Sequence, residues 1–70
     1  MITAPRAARD LAEWDRVDCD GTPLVWPATG IQPVRHLSRA AGTVRMDLGR
    51  HHVILNNDDP VQVVPVEDET

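Results

Sequence analysis

Thr43-Val44-Arg45-Met46-Asp47-Leu48-Gly49-Arg50-His51-His52-Val53-Ile54-Leu55 carries the clearest structural pattern of the chain. From Thr43 to Leu48 polar and apolar residues alternate strictly. Val44, Met46 and Leu48 fall on one face, and Thr43, Arg45 and Asp47 on the other. That period of two is the mark of a half-buried strand. Gly49-Arg50 follows, with glycine first, which suits a two-residue type II′ turn. His51 to Leu55 then returns antiparallel, so the sequence predicts a hairpin.

Downstream, Asn56 to Pro60 is a turn cluster and Val61 to Val64 a last strand. Upstream, Ala41-Gly42 turns the chain, and Pro33 to Arg39 reads as another strand. Val34 and Leu37 would face opposite sides of a regular strand, so a bulge is expected there. Thr29-Gly30 and Asp20-Gly21 are turn signals. Pro23 to Pro27 is a short apolar run bounded by prolines. Proline has no amide to give a ladder, so this run is an edge strand or an ordered loop. Arg16 to Cys19 is a short strand with Val17 and Cys19 inward. Thr3 to Trp14 is either a helix or a loose arm. As a helix it has Thr3 as cap, Pro5 in its first turn and Ala7, Leu11 and Trp14 on one face. As an arm it tucks in only Leu11 and Trp14.

Seventy residues allow one domain. It divides into a helix or arm over residues 1–14, a β-barrel over 15–64 and an acidic tail over 65–70, which should fray. A chain this short buries only ~60% of its unfolded surface and is marginal in stability. The single cysteine excludes an internal disulfide. There are two tryptophans and no Phe or Tyr, so Val, Leu, Ile, Ala and Met must build the core. All seven basic residues are arginine, and the net charge is −4. A field of that sign opposes nucleic-acid phosphates unless the arginines gather on one face. No apolar run approaches the ~20 residues of a membrane helix. Residues 1–12 carry no apolar signal core. The expected location is the cytoplasm, with Cys19 reduced.

Five short strands with a bulged middle predict a mainly β protein, a small antiparallel meander closing into a barrel, because closure removes exposed edges. Arg9-Asp10-Leu11, Asp15-Arg16-Val17, Gly42-Thr43-Val44-Arg45 and Asp58-Asp59-Pro60-Val61-Gln62-Val63 together give a sequence that resembles small SH3-like barrels. It is also similar to the short, uncharacterised proteins of actinobacteria and their phages. The resemblance implies a five-stranded barrel, with a single helical turn before the last strand at Asp58-Asp59-Pro60. It implies no activity, since one fold hosts many functions. Peptide-binding SH3 domains have an aromatic groove. Here the only aromatic rings are Trp14 and Trp26.

Chemistry-bearing residues are sparse. His51-His52, with His36 or Cys19, lacks metal-ligand spacing, and strand neighbours point to opposite faces. Cys19 lies between Asp18 and Asp20, whose charge works against a reactive thiolate. Asp58-Asp59 reads as a turn in which a carboxylate caps its own backbone. No nucleophile, acid–base pair, metal site or cofactor loop can be assembled, so no catalytic activity and no cofactor are expected. Arg35, Arg39 and Arg45 would form a basic patch if their strands bring them to one face. Trp26, held between prolines, is the first candidate contact residue, and Trp14 the second. The expected function is a non-enzymatic protein-interaction module, such as a phage accessory or adaptor protein. The alternatives are a nucleic-acid binder using the arginine patch and a structural subunit that self-associates.

Overall fold

The computed structural model describes residues 2–65. The acidic tail expected over 65–70 lies, apart from Pro65, outside the described residues. The protein is mainly β. Its strands are β1 (Ala4–Ala7), β2 (Arg16–Asp18), β3 (Ile31–Pro33), β4 (His36–Ala40), β5 (Thr43–Asp47), β6 (His52–Asn56) and β7 (Pro60–Val64). They form a four-stranded sheet in the order β1-β7-β2-β3 and a three-stranded sheet in the order β4-β5-β6, both antiparallel throughout.

The decisive hairpin is β5-β6. Asp47 pairs with His52, Met46 with Val53 and Val44 with Leu55. The Leu48 amide donates to the His51 carbonyl at 2.8 Å, which leaves Gly49-Arg50 as a two-residue turn. Gly49 has φ +91° and Arg50 is not left-handed. A positive φ at the first turn position only is the type II′ pattern. Val44, Met46 and Leu48 are buried, Arg45 is exposed, and Thr43 and Asp47 are half-buried.

One hydrophobic core serves both sheets. Val17, Val61 and Val63 come from the four-stranded sheet, and Val44, Met46 and Leu55 from the three-stranded one. Ala8, Leu11, Cys19, Val25, Ala28, Val34 and Leu48 fill in from turns and crossings. Thr22 is the one buried polar residue among those described. Its hydroxyl donates to the Asp18 carbonyl at 2.9 Å and accepts the Gln62 amide at 3.0 Å. Both of its bonding capacities are thus met, as burial requires.

The chain changes sheet at Val34-Arg35. The Val34 amide bonds the Asp15 carbonyl, and the Val34 carbonyl accepts from Trp14, both alongside β2. The next amide, Arg35, bonds the Asp47 carbonyl of β5 at 2.8 Å. The expected bulge in Pro33 to Arg39 is therefore a break between two strands belonging to different sheets. Val34 is fully buried at the corner, and Leu37 resumes inward packing beyond it.

Three further expectations need correction. The strands form two sheets rather than a closed five-stranded barrel. Pro5 lies in β1 and Pro33 in β3, the two edges of the larger sheet. Proline removes the donor that a further ladder would use. The N-terminal segment is not a helix but a strand followed by the 3₁₀ turn Ala8–Asp10. Ala4 to Ala7 pairs with Val63 to Pro60. A helix of twelve residues is marginal in water, and the edge of β7 offered backbone partners that tertiary packing made permanent. Ala8 and Leu11 are buried, whereas Ala7 is half-buried and Trp14 exposed. Nor does Asp58-Asp59-Pro60 make a helical turn: Asn57-Asp58 is a tight turn and Pro60 begins β7.

Candidate functional site

Pro23 to Pro27 folds as an ordered loop, one 3₁₀ turn over Pro23–Val25 followed by a tight turn. Proline in the first helical positions suits this start, since no amide donor is needed there. Three successive bonds close the segment: Val25 to Thr22, Trp26 to Pro23 and Ala28 to Val25, each amide to carbonyl. Val25 is fully buried and pins the turn to the core. The flanking side chains point out, with Trp26 81% exposed and Leu24 47% exposed.

Trp14 is also outside the core, at 62% exposure. Its φ of +73° is the only left-handed value at a non-glycine among the described residues. A bulky side chain rarely adopts that region. The conformation is held by the Trp14 amide, which donates to the Val34 carbonyl at 2.7 Å. The Arg35 guanidinium carbon lies 5.6 Å from the centre of the Trp14 ring, within cation–π range. The two largest side chains of the protein are thus both displayed on its surface.

The three arginines singled out above are not brought together. Ser38 is opposite Arg45, and Arg39 is opposite Val44. Cross-strand partners share a face. Arg45 therefore lies on the outer face with Ser38, and Arg39 on the face that carries Val44. Arg39 folds over the N-terminal segment and donates to the carbonyls of Arg9 and Leu11. Arg35 sits at the sheet crossing, against Trp14.

His51 lies opposite Leu48, and His52 opposite Asp47, so the two histidines occupy opposite faces as strand geometry requires. His36, Asp47 and His52 form one cross-strand row on the outer face. The His52 Nδ1 is 3.9 Å from an Asp47 oxygen, and the His36 Nδ1 is 3.5 Å from Glu13. Among the described residues no group of three His, Cys, Asp or Glu is placed to hold a metal.

Cys19 is buried. Burial pushes its thiol above the ordinary value, and the carboxylates of Asp20 and Asp18 push it further, against a smaller opposing contribution from the Gln32 backbone. Asp58 pairs with Arg9. Asp59 accepts the Asn56 amide at 2.9 Å, which is the turn-capping role its sequence context indicates.

A cleft of about 420 Å³ opens beside the β5-β6 turn, lined by Thr29, Gln32, Arg35, Gly49, Arg50 and His51. Of these, the sequence marks Arg35 as part of a basic patch and His51 as one of the histidines weighed for metal. Arg50 carried a signal only as a turn residue, and Thr29 and Gln32 lie on a loop and strand distant in the chain.

The architecture defines a small mainly β protein of two sheets over one core, with exposed tryptophans. Comparison with known proteins finds no matching family model, no matching curated protein and no matching solved structure.

Proposed function

We propose that this chain is a small non-enzymatic protein-interaction module whose contact element is the Pro23–Pro27 turn. The observation that carries the reading is the 81% exposure of Trp26 next to the fully buried Val25. A rigid turn that anchors one side chain and presents its neighbour loses little conformational freedom on binding. Tryptophan is the residue most enriched among binding hot spots. Burying a large apolar side chain contributes roughly 1.5–3 kcal/mol. Leu24 and Trp14 add exposed apolar surface of the same kind. Kinship with small SH3-like barrels belongs to this reading, supported by the short antiparallel strands that share one core across two sheets.

The test is a pull-down from the native host with the wild-type chain and Trp26→Ala, together with melting curves and sedimentation of both. The expected result is a protein partner retained at moderate salt, lost with Trp26→Ala, and no change in melting temperature. Apolar burial is little screened by salt, whereas phosphate contacts weaken steeply with it. Equal recovery by both proteins would overturn the assignment of Trp26. A mass above the monomer that Trp26→Ala abolishes would identify the partner as a second copy.

A further inference from the structure

We propose that the cleft beside the β5-β6 turn is a binding site for the phosphate group of a small phosphorylated molecule. Its polar lining residues are Arg35, Arg50, His51, Thr29 and Gln32, with Gly49 at the turn. No carboxylate lines it. In a chain with eleven acidic residues and net charge −4, an acid-free cavity holding two arginines is a local reversal of the molecule's field. Leu48, the remaining lining residue, is buried beneath it.

The arginines are not consumed by internal pairing. Among the described residues Arg6 pairs with Asp15, Arg9 with Asp58, and Arg39 bonds backbone carbonyls. Neither Arg35 nor Arg50 has a carboxylate within ion-pair distance among those residues. Arg35 is held instead against the Trp14 ring, which positions its guanidinium without neutralising it. Asp47, the nearest acid along the hairpin, shares the outer face with Arg45 and spends one oxygen on the Gly49 amide at 2.8 Å. It therefore does not fill the cleft.

Guanidinium groups form charge-assisted, paired hydrogen bonds to phosphate oxygens, and the Thr29 hydroxyl adds a neutral donor, while the Gln32 Nε2 donates to the Thr29 carbonyl at 2.9 Å and braces the wall of the cleft. The volume suits a small molecule. The remaining arginines are spread over other faces, so the molecule lacks the continuous basic track that a nucleic-acid backbone needs. The site is independent of Trp26 and of any protein partner.

The experiment is amide-resolved NMR titration of the full chain with inorganic phosphate and with a nucleoside monophosphate. Ionic strength is held constant with sodium chloride, which also serves as the control anion. Saturable shifts are expected at Thr29, Gln32, Gly49, Arg50 and His51 with both phosphates and not with chloride. Arg50→Gln, at an exposed turn position, should weaken binding at least fivefold, and Arg35→Gln/Arg50→Gln at least twentyfold, with the spectra of both still folded. Absence of saturation by either phosphate, equal shifts with chloride, or unchanged affinity in Arg50→Gln would overturn the proposal. Tighter binding of a single-stranded oligonucleotide, with shifts spreading to Arg16 and Arg45, would overturn it in favour of a polymer ligand.

Discussion

Met46 is fully buried between Leu37 on β4 and Val53 on β6, its cross-strand partners. A carboxylate there has no partner and no water, so Met46→Asp should abolish the cooperative melting transition. Met46→Ala removes volume from a packed site and should cost about 2–5 kcal/mol, read from denaturant unfolding. A cooperatively folded Met46→Asp protein would contradict the packing described. Cys19 is buried with its pKa raised, first by desolvation and then by Asp20 and Asp18. Iodoacetamide should therefore label it slowly in the native protein and quickly in denaturant. The raised value also sets a sign. The folded state favours the protonated thiol, so its contribution is fully present below the unfolded thiol pKa. It is lost as pH rises through the folded value. Cys19→Ala should flatten that alkaline fall in stability, which pH-dependent melting would record.

At the scale of the element, the β5-β6 turn rests on Gly49. A Cβ at Gly49 would meet nothing within 4 Å, so its φ of +91° is the only obstacle to a side chain. Gly49→Ala should cost about 1–2 kcal/mol, the price of an L-residue in the left-handed region, with the fold intact in circular dichroism. The N-terminal segment is tied down differently. Ala8 and Arg9 donate to the carbonyls of Asp59 and Asn57, and Arg39 clasps the segment from the other sheet. Arg39→Ala removes charge-assisted bonds and should destabilise by about 1–2 kcal/mol. Hydrogen exchange should rise first at Ala8, Arg9 and Leu11. Exchange spread evenly over the molecule would show that Arg39 does not act locally.

For the molecule as a whole, a shared core implies a single transition. The two sheets contribute to one cluster through Val17, Val44, Met46 and Val63, and Val34 seals the corner where the chain passes between them. Melting followed by circular dichroism and by tryptophan fluorescence should coincide, apart from a weak fluorescence amplitude because both rings are exposed. Chelator should leave the melting temperature unchanged, since His51 and His52 lie on opposite faces. A fall reversed by zinc would show that His36, Asp47 and His52 bind metal in solution.

The β5-β6 hairpin, the inward set Val44, Met46 and Leu48, the inward pair Val17 and Cys19, and the turns at Asp20-Gly21 and Gly49-Arg50 were legible in the sequence. Each rests on period-two patterning or turn chemistry that acts over a few residues. The remaining features depend on contacts between residues far apart in the chain. Residues 4–7 became a strand because β7, more than fifty positions away, had an open edge. Pro33 to Arg39 became two strands because Val34 and Arg35 found backbone partners in different sheets. The arginines separated because strand register, which no local pattern reveals, set Arg45 and Arg39 on opposite faces. The cleft was invisible for the same reason: its residues come from a loop, a strand, a crossing and a turn, and only folding brings their charges into one place.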